Sequence, residues 1–152
     1  MVAPWPRTRD EVKKLVDTVL AKWGRMHVLV CNAASNPHFG PMASASDEVF
    51  DKIMVTNVKS VFWLAGMVLP QMAERQGGAM IIISSIGALR GSSQLGLYAT
   101  SKAAEAGMGR ALACEWGPKN IRINCIAPGL IRTDFARALW EDDAKRKARE
   151  AL

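Results

Sequence analysis

Apolar positions recur along this chain in two rhythms. In "TRDEVKKLVDTVLAKWG", Val12, Leu15, Val16, Val19, Leu20 and Trp23 return at helical spacing. Thr8 with Glu11 offers a capping box at the start, and Gly24 a left-handed stop. "SDEVFDKIMVTNVKSVFWLAGMVLPQMA" and "LYATSKAAEAGMGRALACEWG" also read as helical. The first divides into two helices near Thr56–Asn57, and Gly117 with Pro118 closes the second. A last helix starts near Thr133. Between these lie short apolar runs without internal charge or with little of it: "HVLVCNAA", "GGAMIIISS" and "NIRINCIAPG". Each has the length of a buried strand, and the third ends at Pro128–Gly129.

Buried strands alternating with helices predict an α/β fold, a doubly wound parallel sheet with helices on both faces. In such sheets ligands bind beyond the carboxyl ends of the strands. Polar residues gather there: Asn32 after the first strand, Ser84 and Ser85 after the second, and the loop from Pro128 to Thr133 after the third.

Composition narrows the class. With 152 residues, 49% of them hydrophobic and 22% charged, the chain can form one domain with a core. Cys31, Cys114 and Cys125 are odd in number and form no C-x-x-C, which suits a reduced, cytoplasmic protein. No signal peptide is read at the start. The stretch "SVFWLAGMVLPQMA" is too short for a membrane span and contains Pro70. Two unlinked histidines, His27 and His38, make no metal site. The net charge of +6 raises nucleic-acid binding. Yet Glu141, Asp142 and Asp143 each precede a base by four residues, as on a solvated helix. No aromatic-studded basic stripe accompanies them. The expectation is no nucleic acid and no membrane.

The lone tyrosine, Tyr98, precedes Lys102 by four residues, so both lie on one helix face. A nearby cation favours a phenolate and makes the phenol a usable acid or base. By spacing alone, a packed ring beside a solvated amine is the plainer account.

The motifs together change that account. "YATSK" fits Y-x-x-x-K, and Ser85 of "IIISSIGA" precedes Tyr98 by thirteen residues (98 − 85). "TNVKSVF" carries Asn57, "CNAA" is close to N-N-A-G, and "APGLIRT" fits P-G-x-x-x-T. In this order, from about Val12 to Leu139, the chain resembles the short-chain dehydrogenase/reductase family. "NAASNPHFGP" is similar to its carbonyl reductase-like members.

The resemblance implies a Rossmann-like fold and hydride transfer between NAD or NADP and a small carbonyl or alcohol substrate. It implies that Tyr98 exchanges a proton with the substrate oxygen, while Lys102 lowers the tyrosine pKa and bonds the nicotinamide ribose. Ser85 would hold the substrate oxygen, and Asn57 a water linking Lys102 to solvent. Asn32 and Ala33 would pass the adenosine ribose and pyrophosphate, Ile131 would bond the carboxamide through its backbone, and Thr133 the carboxamide or a phosphate. Ser84 alternates to the other side of the strand and is expected to bond the backbone. Cys31 and Ala34 depart from the motif, and His27 stands where an aspartate is usual. Cys31 reads as a small packing residue, and His38 as a loop residue near the substrate mouth.

No T-G-x-x-x-G-x-G turn precedes these motifs, nor the residue that would choose NAD or NADP. The expectation is a single partial domain over 1–152, the central and catalytic half of a Rossmann-like fold without its first strands and last strand. It predicts a poorly active NAD(P)-dependent oxidoreductase that assembles as a homo-oligomer, dimer or tetramer. The alternative is a catalytically silent interaction or oligomerisation protein derived from the family. Cofactor titration followed by tryptophan fluorescence separates the two.

Overall fold

The computed structural model describes residues 8–134 and 140–141. Helix α1 spans Arg9–Trp23 and begins at the expected capping box. Thr8 Oγ1 accepts from the Glu11 N–H at 3.2 Å, and Glu11 Oε2 accepts from the Thr8 N–H at 3.0 Å. Gly24, at φ 72°, closes it with a hydrogen bond to the Leu20 carbonyl. Only Val12 and Val16 are buried. Leu15 and Trp23, expected on the apolar face, are exposed, because one i, i+4 row is enough to meet its neighbour.

Strand β1 is Val28–Cys31, β2 is Gly78–Ile83 and β3 is Ile121–Ile126. They form one parallel sheet in the order β1-β2-β3, with Leu29 beside Met80 and Met80 beside Ile123. All three apolar runs are therefore strands, and the parallel α/β class holds. Alternation puts Leu29, Cys31, Met80, Ile82, Ile121 and Ile123 on one face, and these are buried. The opposite face carries Val28 and Val30 at the β1 edge, 56% and 52% exposed. Among the described residues the core helices pack on the first face.

Helix α2 covers Asp47–Met54, and Ser46 caps it by accepting from the Val49 N–H. A π-helical turn, Val55–Lys59, leads without a break into α3, Ser60–Glu74. The two helices expected to meet near Asn57 are thus one rod with a widened turn. Asp47–Glu74 is long and apolar enough to cross a membrane, contrary to the shorter count made on its second half alone. Here it serves as a core helix: Val61, Leu64, Val68, Leu69 and Met72 are buried in the cluster with α1 and the sheet.

After α3 the chain turns through Gly77, at φ 145°, where a Cβ would lie 2.9 Å from the Asn120 carbonyl oxygen. Helix α4 spans Gly96–Trp116 and packs closely on the sheet at Gly109, where an added Cβ would meet Ile82 at 3.4 Å. A short 3-10 turn at Gly117–Lys119 follows it. The helix expected from near Thr133 lies almost wholly outside the described residues, as does most of the mixed-charge segment that begins at Glu141.

Candidate active site

The three strand ends are tied together by hydrogen bonds between their loops. Gly40 donates to the Gln94 carbonyl at 2.9 Å, joining the loop after β1 to the approach to α4. Ile86 donates to the Pro128 carbonyl at 2.9 Å, joining the loops after β2 and β3. A polar site is thus built where the topology of a parallel sheet predicts one.

Ser85 leaves β2 in extended conformation and caps a short turn, its Oγ accepting from the Gly87 N–H at 3.1 Å. That leaves the hydroxyl proton free to donate, and Ser85 hydrogen-bonds the Tyr98 phenol. Ser84 points to the other side, as expected, and donates to the Lys102 carbonyl at 2.8 Å. This bond fixes the turn of α4 that carries both Tyr98 and Lys102.

Asn57 is fully buried in the π-helical turn. Its Oδ1 accepts from the Ser35 N–H at 2.8 Å, and its Nδ2 donates to the Ser35 carbonyl at 3.1 Å and to Ser101 Oγ at 2.9 Å. Ser101 in turn donates to the Tyr98 carbonyl at 2.7 Å. The asparagine satisfies the backbone of the loop after β1 and reaches α4 through Ser101. A satisfied neutral network of this kind rigidifies its surroundings.

Lys102 is 1% exposed, and its Nζ lies 5.6 Å from the centroid of the Tyr98 ring. The ammonium donates to the Ile83 carbonyl at 2.9 Å and to both oxygens of Glu105 at 3.0 Å. Glu105 is also 1% exposed. Burial pushes its carboxyl up to about 7 against the pull of Lys102. Burial and, second, the Glu105 charge push the Tyr98 phenol above its ordinary value, with the Ser85 hydrogen bond acting the other way. The direction is opposite to the lowering expected from Lys102: burial of the phenol comes first, and the Glu105 carboxylate beside the cation adds to it.

The cofactor-side residues are placed less tightly. Asn32 and Ala33 follow β1, with Asn32 exposed. Ile131 and Thr133 follow β3 and are exposed, and the Thr133 carbonyl accepts from Trp140 Nε1 at 2.8 Å. Asn36 Oδ1, in the loop after β1, is buried without a protein partner. An acceptor left open at a strand end fits a ligand rich in hydroxyls, as a dinucleotide ribose is. Cys31 is buried and free, its thiol pushed up to about 12, first by burial and then by the Glu105 charge. His38 sits in the same loop, within hydrogen-bond distance of the Pro41 carbonyl at 3.0 Å.

The structure thus brings Ser85, Tyr98 and Lys102 together, joins Asn57 to them through Ser101, and leaves Ile131 and Thr133 on a separate loop. Glu105 and Ser101 were missed from sequence. The available signal was their phase: Glu105 lies three residues past Lys102 and seven past Tyr98, on the same helix face.

A sequence model of the short chain dehydrogenase family matches residues 6–144. "Dehydrogenase/reductase SDR family member 4" of Oryctolagus cuniculus is 44% identical over 138 residues, 91% of this chain and 53% of that protein. The chain therefore spans about half the length of the curated relatives it matches. A 7 alpha-hydroxysteroid dehydrogenase solved with NADH and 7-oxo glycochenodeoxycholic acid is 34% identical with a TM-score of 0.82, covering 88% of this chain and 51% of that one. A gluconate 5-dehydrogenase from Burkholderia cenocepacia, solved with NADP and tartrate, is 27% identical with a TM-score of 0.86, covering 91% and 54%.

Proposed function

This chain belongs to the short chain dehydrogenase family, and from that premise we propose that it carries the proton-transfer half of an NAD(P)-dependent oxidoreductase site. One observation carries the reading: Ser85, Tyr98 and Lys102 converge at the carboxyl ends of the strands, with the Ser85 hydroxyl on the Tyr98 phenol. A nicotinamide, when bound, would supply or accept the hydride. Asn32, Ala33, Lys102, Ile131 and Thr133 would hold the dinucleotide. The residues of this chain handle the proton. In reduction, Ser85 positions the substrate oxygen and the Tyr98 hydroxyl gives it a proton as the carbonyl carbon becomes an alcohol carbon. In oxidation the phenolate takes that proton back. Asn57 holds the turn through which protons are replaced from solvent by way of Lys102.

The substrate class is a small carbonyl or alcohol. NAD and NADP stand equally, since relatives of both kinds match. The proposal includes a low rate for the 152-residue chain by itself, because the dinucleotide contacts among the described residues come from two loops and Lys102. It also includes a homo-oligomer, for which Phe62, 63% exposed on α3, and the exposed Ala103 and Ala111 on α4 offer a surface. Assay of NADH and NADPH oxidation with aldehydes and ketones tests the reading. Tyr98→Phe should lower the rate about 10²–10⁴-fold with nicotinamide affinity, read by tryptophan fluorescence, nearly unchanged. An undiminished rate would remove Tyr98 from the proton-transfer role.

A further inference from the structure

An ammonium group has three N–H donors. On Lys102 they meet three acceptors, the Ile83 carbonyl and the two Glu105 oxygens. A contact with a nicotinamide ribose therefore requires Lys102 to give up a bond it already makes. Glu105 is fixed on the same helix one turn further on, so the competition is built into the sequence of α4. Its charge also opposes the charge through which Lys102 would favour the Tyr98 phenolate.

From this geometry we infer that Glu105 is a positioning residue: its carboxylate parks Lys102 against the end of β2 and withholds the ammonium from Tyr98 and from the ribose side of the site. The inference rests on the proposed role of Lys102 beside Tyr98. Two arrangements of one side chain follow. With Glu105 ionised, Lys102 is held in the pair. With Glu105 protonated, one strong acceptor is lost and the ammonium can turn toward the phenol. The ionisable groups that face Glu105 are Lys102 and Tyr98 from α4 and the Cys31 thiol from β1. The thiol stays neutral through the range in which Glu105 changes charge. Proton occupancy of Glu105 thus sets how much of the lysine charge reaches the phenol.

Tyr98 is the only tyrosine in the chain, so the ultraviolet difference absorbance of phenolate reports it alone. The titration uses no cofactor or substrate and stands apart from any failure of the functional reading. Glu105→Gln, which keeps the shape and removes the charge, should raise the ionisation constant of Tyr98 about tenfold. In a Lys102→Met background the same substitution should have a clearly smaller effect. No shift, or an equal shift in both backgrounds, would overturn the inference, because Glu105 would then act without Lys102. If Glu105→Gln does not fold, Lys102→Met alone decides through the carbon-13 carboxyl resonance of Glu105. Its titration midpoint should rise when the ammonium is removed, and an unmoved midpoint would sink the pairing.

Discussion

Ser101 and Lys102 are neighbours on α4, both buried, yet they anchor opposite kinds of structure. Ser101 joins a neutral network in which Asn57 satisfies the Ser35 backbone and α4 at once. Lys102 joins a buried ion pair with Glu105, capped by the Ile83 carbonyl. The neutral network is indifferent to pH and has one low-energy arrangement. The charged pair depends on the proton occupancy of its members and on the dielectric around them. A site that must hold still and also exchange protons needs both. Here they sit side by side on one helical turn.

Breaking the charged side should cost most. Glu105→Ala leaves the Lys102 ammonium buried without a counter-ion, which typically costs about 3–5 kcal/mol. Urea unfolding at a pH well above 7, where Glu105 is ionised, should show a loss in that range, and a loss below about 1 kcal/mol would mean the pair is solvated or unformed. Breaking the neutral side comes next. Asn57→Ala removes hydrogen bonds to the Ser35 N–H, the Ser35 carbonyl and Ser101. At about 1 kcal/mol each, the expected loss is about 3 kcal/mol. Amide exchange at Ser35 should accelerate with it, and an unchanged Ser35 would show that the loop after β1 is held by something else.

The contrast explains what could be read in the sequence. Thr8 with Glu11 and Gly24 mark the ends of α1 because caps are local chemistry, and the three apolar runs became strands, although only one face of the sheet is buried and Val28 and Val30 on the other are exposed. Spacing alone put Tyr98 and Lys102 on one helix face, and the convergence of Ser85 with them was legible only from the motifs taken together, through the family they resemble. Leu15 and Trp23 were assigned to a buried face they do not share, since periodicity finds a stripe but not its width. The partners of Lys102 were not legible. Ile83 offers a backbone carbonyl, which every residue possesses, and Glu105 in a run of alanines reads as a solvated charge until the helix is docked on the sheet. Nor were the partners of Asn57: it bonds Ser35, 22 residues away, a pairing only the tertiary fold creates.

The smallest expected effect separates the two regions most cleanly. Glu105 ionises near 4.5 in an unfolded chain and near 7 in the folded one. Between those values the folded state holds more protons than the unfolded state. Stability from this group is therefore fully present below 4.5 and is lost as pH rises through about 7. Glu48 is shifted the other way, lowered from 4.5 first by its hydrogen bond with Ser46, so its contribution falls away only at more acidic pH and does not overlap this window. The slope from a single such group is at most about 1.4 kcal/mol per pH unit. Urea midpoints taken across the window should fall with rising pH in the unmodified chain. Glu105→Gln should flatten that slope, whereas Asn57→Ala should lower the curve evenly and leave the slope in place. A slope that survives Glu105→Gln would assign it to another group and return the Lys102 pair to the pH-indifferent class of its neighbour.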